Sequence, residues 1–169
     1  MEHNIFNLKE YLIQKKSSIL TSWFHLLLEV YPKEARRHLQ NQKNQFSNPV
    51  GSNYYQGLET IYGELIEDMD NDRLYQALDK ILRIKAVQNL SPSQAISFIF
   101  SLKKVVRESL IKDFKNDKIP FMELLQLENR IDDLALLAFS IYIDCRETIY
   151  KLRIHEIKTK CELLERVNK

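Results

Sequence analysis

The chain is 169 residues long and holds only three glycines and four prolines. Glycine supplies the left-handed backbone of tight turns and proline interrupts helices, so a chain poor in both has few places to reverse direction. Long helices with short connections follow from that scarcity. A glycine-rich phosphate loop is excluded for want of glycines. Cysteine is scarce too. Cys145 and Cys161 fall in one predicted helix, about 24 Å of rise apart. A disulfide needs Cα atoms within about 7 Å, so the two cannot pair inside a straight helix. Two thiols make no metal site, and free thiols in a reducing compartment are expected. The alternative is Cys161 pairing with its copy across a parallel dimer.

Charge of one sign is missing as well. The 25 basic and 23 acidic side chains leave a net charge of +2, which gives no nucleic-acid footprint. No apolar run approaches the roughly 20 residues of a membrane span, and no signal-peptide pattern opens the chain. No membrane insertion and a cytoplasmic location are expected.

What the sequence does contain is helical periodicity. No strand-like alternation of any length occurs, and the fold class is all-α, a bundle of about six helices in one domain. Asn7 with Glu10 resembles a capping box, opening a helix or two collinear ones over 8–31. Tyr31 before Pro32 is expected to be extended. A short basic helix follows from Lys33 to about Lys43, then a loop over 44–52. A third helix is expected from near Asn53 to Met69 and a fourth over 73–88. Ser91, Pro92 and Gln94 form the clearest helix start, opening a fifth helix to about Lys115.

The rest is organised around the last third. A helix from Pro120 to Asn168 would run roughly 70 Å, too long to bury against the preceding residues. Leu124, Leu127, Ile131, Leu134, Ala138, Ile141 and Cys145 recur at steps of three and four. Residues 131–143 are apolar on most faces, as in a helix surrounded by packing partners. Beyond Asp144 charges return and a narrower stripe survives: Tyr150, Ile154, Ile157, Cys161 and Leu164, the spacing of a coiled-coil seam. A step of five from Cys145 to Tyr150 turns this seam away from the first. Residues 1–145 are therefore expected to form a helical core and 146–169 to project from it. The seam is the candidate interface, for a homodimer or a protein partner; a tail that packs on its own domain or frays is the plain alternative.

No catalytic constellation can be assembled. His3, His25, His38 and His155 have no metal-ligand spacing, and Asp132 and Asp133 diverge on a helix. One of these aspartates facing Arg130 or Arg107 competes with a plainly solvated face. Glu67, Asp68, Asp70 and Asp72 lack the glycine of a calcium loop and suit a surface connection. No cofactor or metal is expected. Among the eight tyrosines, Tyr54, Tyr55, Tyr62, Tyr142 and Tyr150 have the chemistry to line a cavity, against ordinary packing. Arg83 and Lys85 suit either a ligand or side chains lying along an apolar surface. Tyr62, Arg83 and Tyr142 are the candidate pocket residues.

Four stretches carry a resemblance: WFHLLLEVYPKEA (23–35), FSNPVG (46–51), RIKAVQNLSPSQAISFIFSLKKVVRE (83–108) and RIDDLALLAFSIYIDCRETIYKLR (130–153). Together they resemble the N-terminal sensor domain of RsbRD-type co-antagonist proteins, relatives of bacterial stressosome sensors. The resemblance implies a non-catalytic helical sensory module, usually followed by a signalling domain. The chain ends at Lys169 without one, so a free-standing member acting in trans or a fragment is expected. Related sensors resemble globins without haem, which implies a globin-like fold by analogy. In globins the haem-ligating histidine lies about eight residues before such a proline. Here that place is Ile84, which cannot ligate iron.

The expected function is a sensory or regulatory domain that signals through its C-terminal helix, with an unidentified small-molecule signal as one allowed input. The alternative is a small-molecule or cofactor carrier with an aromatic-lined cavity.

Overall fold

A computed structural model describes residues 7–40, 48–67, 69–114 and 121–167. Among these residues there are six α-helices: α1 (Leu8–Leu27), α2 (Lys33–Gln40), α3 (Pro49–Ile66), α4 (Asn71–Val87), α5 (Pro92–Phe114) and α6 (Phe121–Val167). The expected end of α2 near Lys43, loop residues 44–47, Asp68, the turn over 116–119, the role of Pro120 and the expected stop at Asn168 lie outside the described residues.

The first helix stops short of Val30. A single 3-10 turn, Leu28–Val30, ends it, and Tyr31 is extended at φ −98°, ψ 151°, as its place before Pro32 demands. The helix α3 starts four residues earlier than expected, inside what reads as a loop. Asn48 and Pro49 are its N-cap and first residue, not turn residues, and the Asn48 side chain accepts from Gly51 N–H at 2.9 Å. The same amide donates to the carbonyls of His38 and Leu39, tying α2 to α3. Gly51 is needed at this approach, because a Cβ there would strike the Leu39 carbonyl and the Asn48 amide. Asp70 caps α4 by accepting from Asp72 and Arg73, moving that start to Asn71. Ser91 and Gln94 exchange the reciprocal bonds of a capping box at α5, as the spacing predicts.

The core lies where α1, α3, α4 and α5 close around the first half of α6. Helix α3 packs on α4, α1 lies against α3 and α5, and α4 and α5 both pack on α6. Trp23 is fully buried, stacks on Phe98 and donates its indole N–H to the Phe98 carbonyl at 2.6 Å. At its start α6 also completes α1, since Glu123 accepts from the Leu8 N–H at 2.9 Å.

Candidate functional site

Helix α6 has 47 residues, about 70 Å of rise. Leu127, Ile131, Leu134, Ala138 and Ile141 are buried, whereas every residue from Lys151 to Glu165 is exposed. Ion pairs hold its first half to α5: Lys103 to Asp132 at 2.7 Å and Arg107, through two bonds, to Glu128. Arg130 donates to the Leu65 carbonyl at the end of α3. Neither arginine meets Asp132 or Asp133; Lys103 takes Asp132 because its place on α5 lies opposite that turn of α6.

Residues 131–143 are not surrounded by packing partners. Leu136 is 69% exposed and Phe139 45% exposed. They belong to a second apolar row, with Ile143, about 130° round the helix from the buried one at 3.6 residues per turn. The row runs in steps of three and four, with Arg146 as its one polar place and two successive steps of four at Tyr150, on through Tyr150, Ile154, Ile157, Cys161 and Leu164. All five are exposed. The tail seam thus continues a row that begins on the body of the domain. Periodicity concealed this because the two rows overlap in the same stretch of sequence.

The point where α6 leaves the core is held by side chains one turn apart. The hydroxyl of Tyr142, itself buried, donates to the Leu90 carbonyl. Arg146 donates to the Ala86 carbonyl and to Asn89 Oδ1, both at 2.8 Å, and to the Tyr150 hydroxyl at 2.7 Å. Its guanidinium also lies 4.9 Å from the Tyr150 ring centre. Asn89 sits at φ 59°, the left-handed residue that ends α4. The α4–α5 turn is therefore clamped to the helix where the tail begins.

Beside that turn lies an unusual cation. Lys85 is 0% exposed, so it does not lie along the surface with its amine in water. Among the described residues its Nζ has no hydrogen-bond partner. Instead it faces the rings of Phe98, Tyr31 and Tyr54 at 5.5–5.6 Å. Burial alone pulls its pKa down from 10.5 to about 8. The spacing of Leu74, Leu78, Ile81 and Lys85 on α4 is the signal that places it inward. Tyr31 donates to Gln88 Oε1 at 2.5 Å, which leaves the Tyr54 hydroxyl to donate to Tyr31 at 2.6 Å. One set of contacts thus links the lysine cage to the α4–α5 turn and on to α6.

The candidate pocket residues do not converge on one site. Tyr62 is buried and its hydroxyl donates to the Leu12 carbonyl at 2.9 Å. Tyr142 is committed to Leu90. Arg83 is exposed, pairs with Asp79 at 2.7 Å, and lines a groove between α4 and α6 that neither tyrosine lines. Cys145 lines the same groove, and burial raises its thiol pKa. Among the described residues no three His, Cys, Asp or Glu side chains are grouped to hold a metal ion, and no helix is long and apolar enough to cross a membrane.

Comparison with curated proteins and with solved structures found no match. A family model does match, over residues 17–156: the RsbT co-antagonist protein rsbRD N-terminal domain. That span takes in most of α1, the lysine cage, the α4–α5 clamp and the start of the exposed seam. The family is one of regulatory domains of the stressosome type and is not a known enzyme family. This chain belongs to the RsbRD N-terminal domain family.

Proposed function

We propose that this chain is a non-catalytic sensory domain that passes the state of its helical core outward through α6, and that α6 pairs with a second copy of the chain along its exposed row. One observation carries the reading: Tyr150, Ile154, Ile157, Cys161 and Leu164 all lie in solvent over some four turns of helix, in line with the exposed Leu136 and Phe139 on the body of the domain. Isolated exposed apolar residues need no explanation, but a continuous row at coiled-coil spacing does. The core, residues 1–145, is the sensing part and residues 146–169 the transmitting part. A cytoplasmic bacterial protein of non-haem, globin-like build belongs to the same proposal. Ile84, which offers iron no ligand, and the filling of the interior by Trp23, Phe98 and Lys85 support the absence of haem.

The test is Ile157→Glu with Leu164→Glu, both in the exposed tail. Placing unpaired carboxylates in a paired seam is expected to weaken self-association by roughly two to three orders of magnitude. Sedimentation equilibrium should show the natural chain as a dimer and the variant as a monomer, with circular dichroism unchanged. A natural chain that sediments as a monomer, or a variant that still dimerises, removes the pairing.

A further inference from the structure

A second unpartnered surface lies on the side of α6 that faces α4. Two neighbouring cavities of 450 and 460 Å³ lie in a row between these helices, with Tyr75 lining both, and together make the α4/α6 groove. Its floor is apolar: Leu134, Leu137, Ile141 and Leu152 from α6, with Leu74 and Val87 from α4. Two of these face solvent strongly, Val87 at 71% and Leu152 at 60% exposed. From Asp133 to Leu152 the groove spans about 28 Å, the length of a helix of five turns.

Its charge is one-sided. Asp72, Asp79, Asp133 and Asp144 line it, against Arg83 as the one basic residue. Arg83 is already paired with Asp79, and the other three carboxylates have no ion-pair partner among the described residues. On a chain whose net charge is +2 this concentration is local. An apolar floor between acidic edges is the complement of a helix with one apolar stripe and basic flanks.

We propose that the α4/α6 groove is the docking site for a basic amphipathic helix of a partner protein. This deepens the reading above, on which it rests, by naming the chemistry of the output partner. The groove ends beside the clamp that Arg146 makes on α4, so a helix seated there touches both the core and the root of the tail.

The probe is a fluorescent 18-residue helical peptide with leucines on one face and lysines or arginines elsewhere; its counterpart carries glutamates in place of the basic residues. With the full chain, fluorescence anisotropy is expected to show the basic peptide binding at least tenfold more tightly, and more weakly as salt rises. Asp133→Asn with Asp144→Asn should cost about tenfold, and Val87→Glu, at an exposed helix end, should abolish binding. Ile157→Glu with Leu164→Glu should leave it intact, which separates loss of pairing from loss of docking. Equal affinity for both peptides, indifference to the aspartate and Val87 changes, or loss of binding in the Ile157/Leu164 variant would overturn the proposal. So would displacement of the peptide by a fatty acid that itself depends on Val87, since the groove would then be a lipid site.

Discussion

Replacing Lys85 by methionine is expected to stabilise this protein. Its buried ammonium has lost its hydration and, among the described residues, has gained neither a hydrogen-bond partner nor a counter-ion. The displacement of its pKa from 10.5 to about 8 corresponds to about 3 kcal/mol, at about 1.4 kcal/mol per tenfold change in proton affinity. Stacking against three rings returns part of this, so the expected gain for Lys85→Met near neutral pH is about 1–3 kcal/mol. Methionine is unbranched and one heavy atom shorter, and its larger sulfur makes up most of the lost volume. The pH dependence has a defined sign. Between pH 8 and 10.5 the unfolded chain keeps the lysine proton while the folded chain releases it. Natural stability should therefore rise with pH from about 8 and hold its minimum contribution from Lys85 below that. Above pH 10 the buried phenols of Tyr54 and Tyr62, raised by desolvation, oppose the trend. They stay protonated in the folded chain while the unfolded chain ionises, which lowers stability. Urea melts at pH 7, 8, 9 and 10 should show a rising profile for the natural protein and a flat one for Lys85→Met. A variant no more stable than the parent, with parallel profiles, would mean that the amine finds a partner.

The second large effect is expected at Arg146. Its guanidinium satisfies the Ala86 carbonyl at the end of α4 and the Asn89 side chain while resting on Tyr150. Arg146→Ala removes these charge-assisted bonds and should cost about 2 kcal/mol. For a domain of this size that lowers the melting temperature by roughly 5 °C. Arg146→Lys should recover less than half, because an ammonium cannot span the carbonyl, the amide and the phenol at once. Hydrogen exchange should quicken at Gln88 to Leu90 and in α6 from Arg146 onward, with the Trp23 environment unchanged. A melting temperature within a degree of the parent's would show that the clamp carries no energy.

Much of this fold is legible in residue order. The all-α class follows from the absence of alternation, and the α5 start from Ser91, Pro92 and Gln94, whose bonds are local. The α3 start is less legible, since Asn-Pro before a glycine is also the composition of a turn. Only the contact of the Asn48 amide with α2 selects the cap. The two apolar rows of α6 share one stretch, and composition alone cannot tell a helix packed all round from one packed on a single side. Lys85 lies in register with Leu78 and Ile81, yet its charge argues for the surface. The role of Arg146 carries no sequence signal, because the two groups that it ties to α6, the Ala86 carbonyl and the Asn89 side chain, lie nearly 60 residues away.

The pairing of α6 can be tested with a thiol the chain already has. Cys161 is exposed and stands in the apolar row. In a parallel, in-register pair it meets its own copy within the reach of a disulfide, about 7 Å between Cα atoms. Mild oxidation of the natural protein, followed by intact mass measurement, is expected to give a species of twice 20.1 kDa. It should vanish on reduction, disappear in Cys161→Ser and persist in Cys145→Ser. A product that stays at one chain mass while Cys161 remains open to alkylation would contradict the parallel seam and the route of signal through it.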